Sequence, residues 1–355
     1  MIKELKHINI LYLVKTMDVG GAERFTLNLS RYFKDKTYSV TVASSGGLYV
    51  DQLERTGIKH IKLLNQPVLK NVLPLFKELK GILKEGDYSI VHCQHRIFTF
   101  LLQLVMNRNF HLLYTSHNLF TDLFQRLIFP DFAVAVSKSI YKNLISSSLI
   151  DKNKIACINY GVSIPENYYP QSGIITFGFS GRLIKEKGIF ELLESVKMLA
   201  SENLTFRLII KGRGELNEIT AFIEKNKLSQ VISIIPPSYD EAEIYKEINV
   251  LVLPTRLNEG LPISILEAAA RRILIVSADA GGVKDFLVDQ RTGLMLGSTD
   301  PSSIAQVLKE IILGYDKFVP LINNALIKVK NEFSLDVTNR NYEDLYKKLL
   351  ETTPS

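Results

Sequence analysis

At 355 residues, with 46% apolar and 23% charged side chains, the chain has material for about two globular domains of roughly 100–200 residues each. Two cysteines, Cys93 and Cys157, exclude a disulfide-framed secreted fold and point to a reducing, cytoplasmic setting. Apolar runs such as residues 132–136 fall far short of the ~20 residues that span a bilayer, and the 8–14 stretch stops at Lys15 without a small-residue cleavage site.

The net charge of +6 sits in the first half, where residues 1–170 carry 21 Lys and Arg against 13 Asp and Glu, while the remainder carries 22 against 24. An anionic partner is therefore sought for that half. Zinc-finger spacing, basic heptads and an RNA-binding aromatic signature are all missing, so nucleic acid is not expected.

Along the first half, apolar runs alternate with amphipathic stretches. Residues 8–14, 39–43, 88–93, 112–115, 133–136 and 155–158 read as strands, and 22–33 and 138–146 as helices. Residues 164–173, with Pro165, Pro170 and Gly173, read as an interdomain linker. The pattern then restarts, with strands at 174–180, 206–211, 231–235, 250–253 and 273–276 and helices at 189–199, 215–225, 241–248 and 262–271. Strand signal weakens from Leu287, and helices at 301–313, 319–331 and 337–350 close the chain. Such alternation implies parallel sheets covered on both faces, hence an α/β chain of two Rossmann-like, doubly wound domains facing across a cleft. The divisions are 1–165, 173–333 and a C-terminal helix at 334–355 returning to the first domain.

Ligands of open parallel sheets lie beyond the carboxyl ends of the strands. After the first strand, Gly20-Gly21 opens a helix, a turn that lets backbone amides approach an anion or simply turns the chain. The dinucleotide spacing of glycines is absent. In the second half, Arg182 and Lys187 bracket the start of a helix, so fixed charge and helix dipole add where a diphosphate would fit. Glu259 follows a strand and Glu267 lies in the next helix among Ile263, Leu266 and Ala268–Ala270, where a carboxylate needs hydrogen-bond donors such as sugar hydroxyls.

The Glu259/Glu267 pair, set in Glu259-Gly260-Leu261-Pro262, together with Gly181-Arg182, Glu186-Lys187-Gly188 and Gly20-Gly21-Ala22-Glu23-Arg24, resembles the family-4 (group 1) retaining glycosyltransferases of the GT-B fold. The resemblance runs through the whole chain in order. It implies that Arg182 and Lys187 hold a nucleotide-sugar diphosphate, Glu259 the sugar hydroxyls and Glu267 the ribose. Backbone amides near Gly260 and Leu261 would touch the sugar, and Gly20 and Gly21 would approach the phosphates or the acceptor. His117, in Thr115-Ser116-His117-Asn118, would orient the sugar. Two departures stand out: Pro236-Pro237-Ser238 lies where a glycine often flanks the base, and Asp285 where a glutamate often follows Gly281-Gly282.

No Asp-x-Asp triplet occurs, so the cationic side chains and a helix N-terminus are expected to serve the leaving group in place of a metal, and no cofactor is expected. His92 and His95 have half-site spacing without a second set of ligands. The reaction implied is front-face transfer of a hexose or N-acetylhexosamine, with a UDP-sugar as first-choice donor, to a saccharide or lipid-linked saccharide in surface polysaccharide synthesis. Glu259 would position the sugar without a covalent bond to it, and both Glu259 and Lys187 are expected in an exposed cleft.

Over 74–84, Leu75, Phe76, Leu79, Ile82 and Leu83 form one face with Lys77, Lys80 and Lys84 beside it. That helix either covers the sheet or docks on an anionic membrane, and Leu119-Phe120, Leu123-Phe124 and Leu127-Ile128-Phe129 either meet a lipid-linked acceptor or fill the core. Competing assignments are a catalytically silent subunit supporting a partner transferase, which predicts loss of at least one of Arg182, Lys187, Glu259 and Glu267, and a nucleotide-sugar epimerase. All four residues are present.

Overall fold

A computed structural model describes residues 8–166, 173–236, 243–257 and 260–354. The chain forms two units, residues 1–161 with 335–355, and residues 162–334.

In the first unit the strands are β1 (Asn9–Leu13), β2 (Ser39–Ser44), β3 (Lys59–Lys62), β4 (Ile90–Cys93), β5 (His111–Ser116), β6 (Phe132–Ala135) and β7 (Ile155–Cys157). All pair in parallel in the order β3-β2-β1-β4-β5-β6-β7. Buried β-branched and aliphatic residues fill β1, β4, β5 and β6, as a sheet covered on both faces requires. The covering helices are α1 (Gly21–Asp35), α2 (Val50–Arg55), α3 (Val72–Glu85), α4 (Arg96–Leu102) and α5 (Lys138–Ser147). Leu75, Leu79 and Ile82 of α3 are buried in the core, and Phe76 and Leu83 pack against it. The face formed by Leu75, Leu79 and Ile82 is spent on the core, while Lys77, Lys80 and Lys84 remain at the surface together with Leu73, Pro74, Gly81 and Glu85.

The second unit has β8 (Ile175–Ser180), α6 (Ile189–Ala200), β9 (Phe206–Lys211), α7 (Leu216–Lys225), β10 (Ile232–Ile235), β11 (Val250–Leu253), α8 (Ile263–Ala270), β12 (Leu274–Ala278), α9 (Val283–Phe286), β13 (Leu294–Leu296), α10 (Pro301–Gly314) and α11 (Val319–Glu332). Its parallel order is β10-β9-β8-β11-β12-β13. Within the expected 241–248 helix, the described part holds a 3-10 turn, Glu243–Lys246. Part of the expected linker, residues 167–172, lies outside the described residues, as do residues 237–242. Strands β3 and β13 and helices α2, α4 and α9, unforeseen in the sequence, are three to seven residues long.

The last helix, α12 (Leu335–Leu350), belongs to the first unit. Tyr342 and Tyr346 are fully buried, and Tyr346 stacks on Phe33 of α1 with centroids 4.6 Å apart. Polar groups buried beneath α12 are paired, as burial demands. His92 Nδ1 meets Tyr346 Oη at 2.7 Å and its Nε2 meets Thr115 Oγ1 at 2.7 Å. Tyr342 joins Thr115 at 3.2 Å, and Tyr346 donates to Tyr12 at 3.1 Å. Thr338 donates to the Asn159 carbonyl at 2.9 Å, and Tyr32 of α1 donates to Glu343.

Tyr346→Phe leaves the stacking in place and strips His92 and Tyr12 of a buried partner, at an expected cost of about 1–3 kcal/mol. Urea unfolding should show a lower midpoint with an unchanged slope; an unchanged midpoint would show that this network adds nothing to α12 docking.

Candidate active site

Strand order reverses between β1 and β4 in the first unit and between β8 and β11 in the second. Loops leaving such neighbouring strands diverge to opposite faces and open a crevice at the carboxyl edge.

In the second unit, Gly181 and Arg182 follow β8, and Lys187 closes a short 3-10 turn, Lys185–Lys187, before α6. Gly188 has φ +75°, and a Cβ there would collide with the Pro254 carbonyl. This glycine therefore lets the loop after β8 lie against the loop after β11. The Arg256 amide donates to the Glu186 carbonyl at 2.8 Å across the same contact. Gly181 and Leu183 donate to Lys211 and Arg213, tying the loop to the end of β9 as well. A Cβ on Gly282 would collide with the backbone at Gly260 and Leu261, so the turn after β12 supports the start of α8 from behind.

Arg182 is exposed, whereas Lys187 is only 9% exposed and Glu267 8%. The burial of Lys187 corrects the expectation of an exposed residue: it closes the turn that Gly188 brings against the Pro254 carbonyl. Glu267 accepts from Tyr245 Oη at 2.8 Å, and the Arg271 guanidinium stacks over the Tyr245 ring at 5.2 Å. Lys211, at the end of β9 and buried, pairs with Glu243 at 3.2 Å. Glu259 lies outside the described residues. An open pocket of about 570 Å³ lies at the ends of β11, β12 and β13, with Thr255, Arg256, Asp279, Gly281, Gly297 and Ser298 in its wall.

The first unit carries Gly20 and Gly21 after β1, Gln94 and His95 after β4, and His117 after β5. His117 Nδ1 meets Tyr160 Oη at 2.5 Å and its Nε2 meets Gln94 Oε1 at 2.7 Å. With Gln94 as acceptor, Nε2 carries the ring proton and Nδ1 accepts from Tyr160. Burial pushes the His117 pKa down to about 3, so the ring is neutral at physiological pH. His95 caps α4 by accepting from the Ile97 amide, and burial, with Lys15 and Arg96 nearby, lowers its pKa to about 4. Both nitrogens of His92 are taken by hydroxyls, so the His92/His95 spacing is structural. Among the described residues, no three His, Cys, Asp or Glu side chains form a metal set.

Tyr245, Lys211, Gln94 and Tyr160 were not singled out in the sequence. Lys211 carried a signal, a lone cation closing the apolar run Leu208-Ile209-Ile210. Tyr245 and Tyr160 reach their partners across 22 and 43 residues, a pairing no local pattern encodes.

Two family models match the chain: "Glycosyltransferase Family 4" over residues 19–164 and "Glycosyl transferases group 1" over residues 167–326. The capsular polysaccharide biosynthesis glycosyltransferase CapM of Staphylococcus aureus is 25% identical over 61% of this chain, a stretch that spans 62% of CapM. A glycosyltransferase structure from Rickettsia africae superposes with a TM-score of 0.83 at 22% identity, covering 98% of this chain and 100% of that one. HepE of Anabaena, in complex with UDP and glucose, superposes at 0.80 and 18% identity, covering 96% and 100%.

The histidines make the first unit acid-sensitive. His92, His95 and His117 have folded pKa values below the unfolded value of about 6.5, through burial above all. The unfolded chain therefore takes up protons first, and stability is complete above that pH and falls on acidification by about 1.4 kcal/mol per pH unit for each histidine kept neutral. Urea unfolding between pH 7 and pH 5 should show this fall, and His117→Asn should reduce its slope by roughly one proton. An unaltered slope would mean that His117 ionises normally in the fold.

Proposed function

Because the chain belongs to the group 1, family 4 glycosyltransferases, we propose that it moves a hexose or N-acetylhexosamine from a nucleoside diphosphate sugar, UDP-linked by first preference, to a saccharide or lipid-linked saccharide in polysaccharide assembly. The observation that carries this reading is the stitching of the loops after β8 and β11, which holds the segment of Arg182 and Lys187 against the one leading to Gly260, Leu261 and Glu267. Cations, an α6 N-terminus and a buried carboxylate form a site for an anion linked to a hydroxyl-bearing ring.

In this reading Arg182 and Lys187 bind the diphosphate and stabilise the charge that grows on it as the glycosidic bond breaks, with no metal required. Glu267, oriented by Tyr245, accepts from the ribose hydroxyls. Gly260 and Leu261 present backbone amides to the sugar, and Glu259 positions its hydroxyls. His117 faces the sugar as a neutral ring whose orientation Tyr160 and Gln94 hold. Transfer is front-face and retaining: the acceptor oxygen bonds to the anomeric carbon on the side from which the diphosphate leaves, and a departing phosphate oxygen takes the hydroxyl proton. CapM and HepE support a polysaccharide setting and a uridine nucleotide, respectively. The silent-subunit alternative lacks support, because no cation or acidic residue of the donor set is missing.

We also place the enzyme at the cytoplasmic face of a membrane. No helix among the described residues is long and apolar enough to cross one. Leu123, Leu127 and Phe129 are nevertheless 75%, 50% and 47% exposed, and Lys77, Lys80 and Lys84 are exposed on α3, whose Phe76 packs against the same core as Phe124. Apolar side chains flanked by lysines suit an anionic bilayer surface.

A thermal-shift series with UDP, GDP, ADP and dTDP should give a concentration-dependent rise with one nucleotide. Tyr245→Phe should weaken that nucleotide by about tenfold, because Glu267 loses the hydroxyl that orients it, and should also lower fold stability by about 1–3 kcal/mol, since a buried carboxylate is left without its donor. No rise with any of them would sink the donor assignment. The wild type should pellet with phosphatidylglycerol vesicles at low salt, and a Leu123→Ser, Leu127→Ser, Phe129→Ser variant should stay in the supernatant. Equal pelleting of the two would remove this surface from membrane contact.

A further inference from the structure

Tyr245, whose hydroxyl donates to Glu267 at 2.8 Å, stands in the 3-10 turn Glu243–Lys246. A four-residue 3-10 turn has little hydrogen bonding of its own, so its position depends on what fastens it. Downstream the fastening is to β8, where the Asn249 amide donates to the Thr176 carbonyl at 2.8 Å and the Asn249 side chain accepts from the Thr176 amide at 2.9 Å. Ile248, just before, occupies the space that a Cβ on Gly178 of β8 would take. At the first residue of the turn the fastening is an ion pair, in which Lys211 Nζ donates to Glu243 Oε2 at 3.2 Å.

Lys211 is the last residue of β9 and only 5% exposed, whereas the Glu243 side chain is 47% exposed. A buried cation gives up its hydration, and a carboxylate standing half in water returns little of that cost. Fold stability therefore does not account for a charge at this strand end. What the charge does is hold Glu243.

We propose that Lys211 is a positioning residue for ribose recognition: by holding Glu243 it fixes the turn that aims Tyr245 at Glu267, an inference that rests on the transferase reading above. Arg271 braces the same carboxylate from α8, with its guanidinium over the Tyr245 ring at 5.2 Å and a hydrogen bond to the Glu267 carbonyl at 3.1 Å. Tyr245 is thus steadied at its ring from α8 and at its backbone from β9. A carboxylate reads a ribose hydroxyl through a charge-assisted hydrogen bond, and the strength of that bond depends on direction. A misaimed Glu267 keeps its charge and loses its preference for the ribose. The loop after β8 leans on the Lys211 backbone instead, because the Gly181 amide donates to the Lys211 carbonyl at 3.1 Å. Side-chain substitutions leave that contact to the diphosphate loop in place.

Isothermal titration calorimetry on the full chain, with UDP, GDP and ADP and with their 2′-deoxy counterparts, tests this. For the base that binds, the wild type should prefer the ribonucleotide by about tenfold, the value of one hydrogen bond to a charged group. Lys211→Met keeps the buried stem and removes the charge. It should lower the preference to about twofold, with inorganic pyrophosphate binding unaltered and the urea midpoint unchanged or raised. Lys211→Arg should restore most of the preference. Glu243→Gln, made on a half-exposed side chain, should lower it likewise, and it reads the same contact even where a buried substitution fails to fold. The Lys211→Met, Tyr245→Phe double variant should be no less selective than Tyr245→Phe alone, because both changes act through one carboxylate. A preference unaltered by Lys211→Met or Glu243→Gln, equal weakening of the ribo and deoxy forms, weakened pyrophosphate binding, a preference that falls only together with the urea midpoint, or a wild type that binds both sugars alike would each overturn the proposal and leave the donor reading standing. Failure of every nucleotide to bind the wild type would overturn the donor reading, and the proposal with it.

Discussion

A parallel sheet delivers every strand end to one edge, and the place of each functional side chain follows from that constraint. Because β1 and β8 are laid down first and later strands are added on both sides of them, the order reverses at β1/β4 and again at β8/β11. Crossovers leaving those strands must pass to opposite faces, so backbone cannot fill the space between them. The loops carrying Arg182, Lys187, Gly260 and Leu261 border the second such space, and those carrying Gly20, Gln94 and His95 border the first. Neither crevice needed a dedicated cavity in the fold.

Two of the charges at the second edge, Lys187 and Glu267, are buried, and burial dictates their surroundings. A lysine or glutamate removed from water is tolerated only among polar partners. Lys187 sits where the loops after β8 and β11 are hydrogen-bonded to each other, and Glu267 sits beneath Tyr245 and the stacked Arg271. Two glycines make these contacts feasible, Gly188 by its positive φ and Gly282 by its missing side chain. The charged groups are thereby held before a ligand arrives, so less ordering entropy opposes binding.

The first unit follows a different chemistry. Two of its buried polar clusters are built from uncharged groups: His92 with Thr115 and Tyr346, which reaches Tyr12, and His117 with Tyr160 and Gln94. Such groups pair by sharing donors and acceptors without net charge, which a low-dielectric interior allows at small cost. Neutrality is the condition, and burial enforces it by holding these histidines unprotonated. The exceptions are the buried ion pair of Arg108 with Asp131 at 2.9 Å and Glu23, a carboxylate whose pKa burial raises and whose backbone hydrogen bond restrains that rise.

The sequence by itself determined the alternation of strands and helices, the restart of the pattern near residue 174, and the loops in which Arg182, Lys187, Gly260 and Leu261 fall, because periodicity and the glycine and proline signals are local. Even there it missed β3, whose Lys59-His60-Ile61-Lys62 sequence is polar and lies at a sheet edge, and the three-residue β13, since short edge strands owe their form to a neighbour. It read the α3 face as able to meet a membrane, because an amphipathic pattern does not say what it faces; the core packing of Leu75, Leu79 and Ile82 does. It read Lys187 as lying in an exposed cleft, whereas the residue is buried. Only tertiary structure decided these, along with the pairing of His92 with a tyrosine 254 residues away. Burial and long-range hydrogen bonding depend on what packs from distant parts of the chain, and no local spacing carries that information.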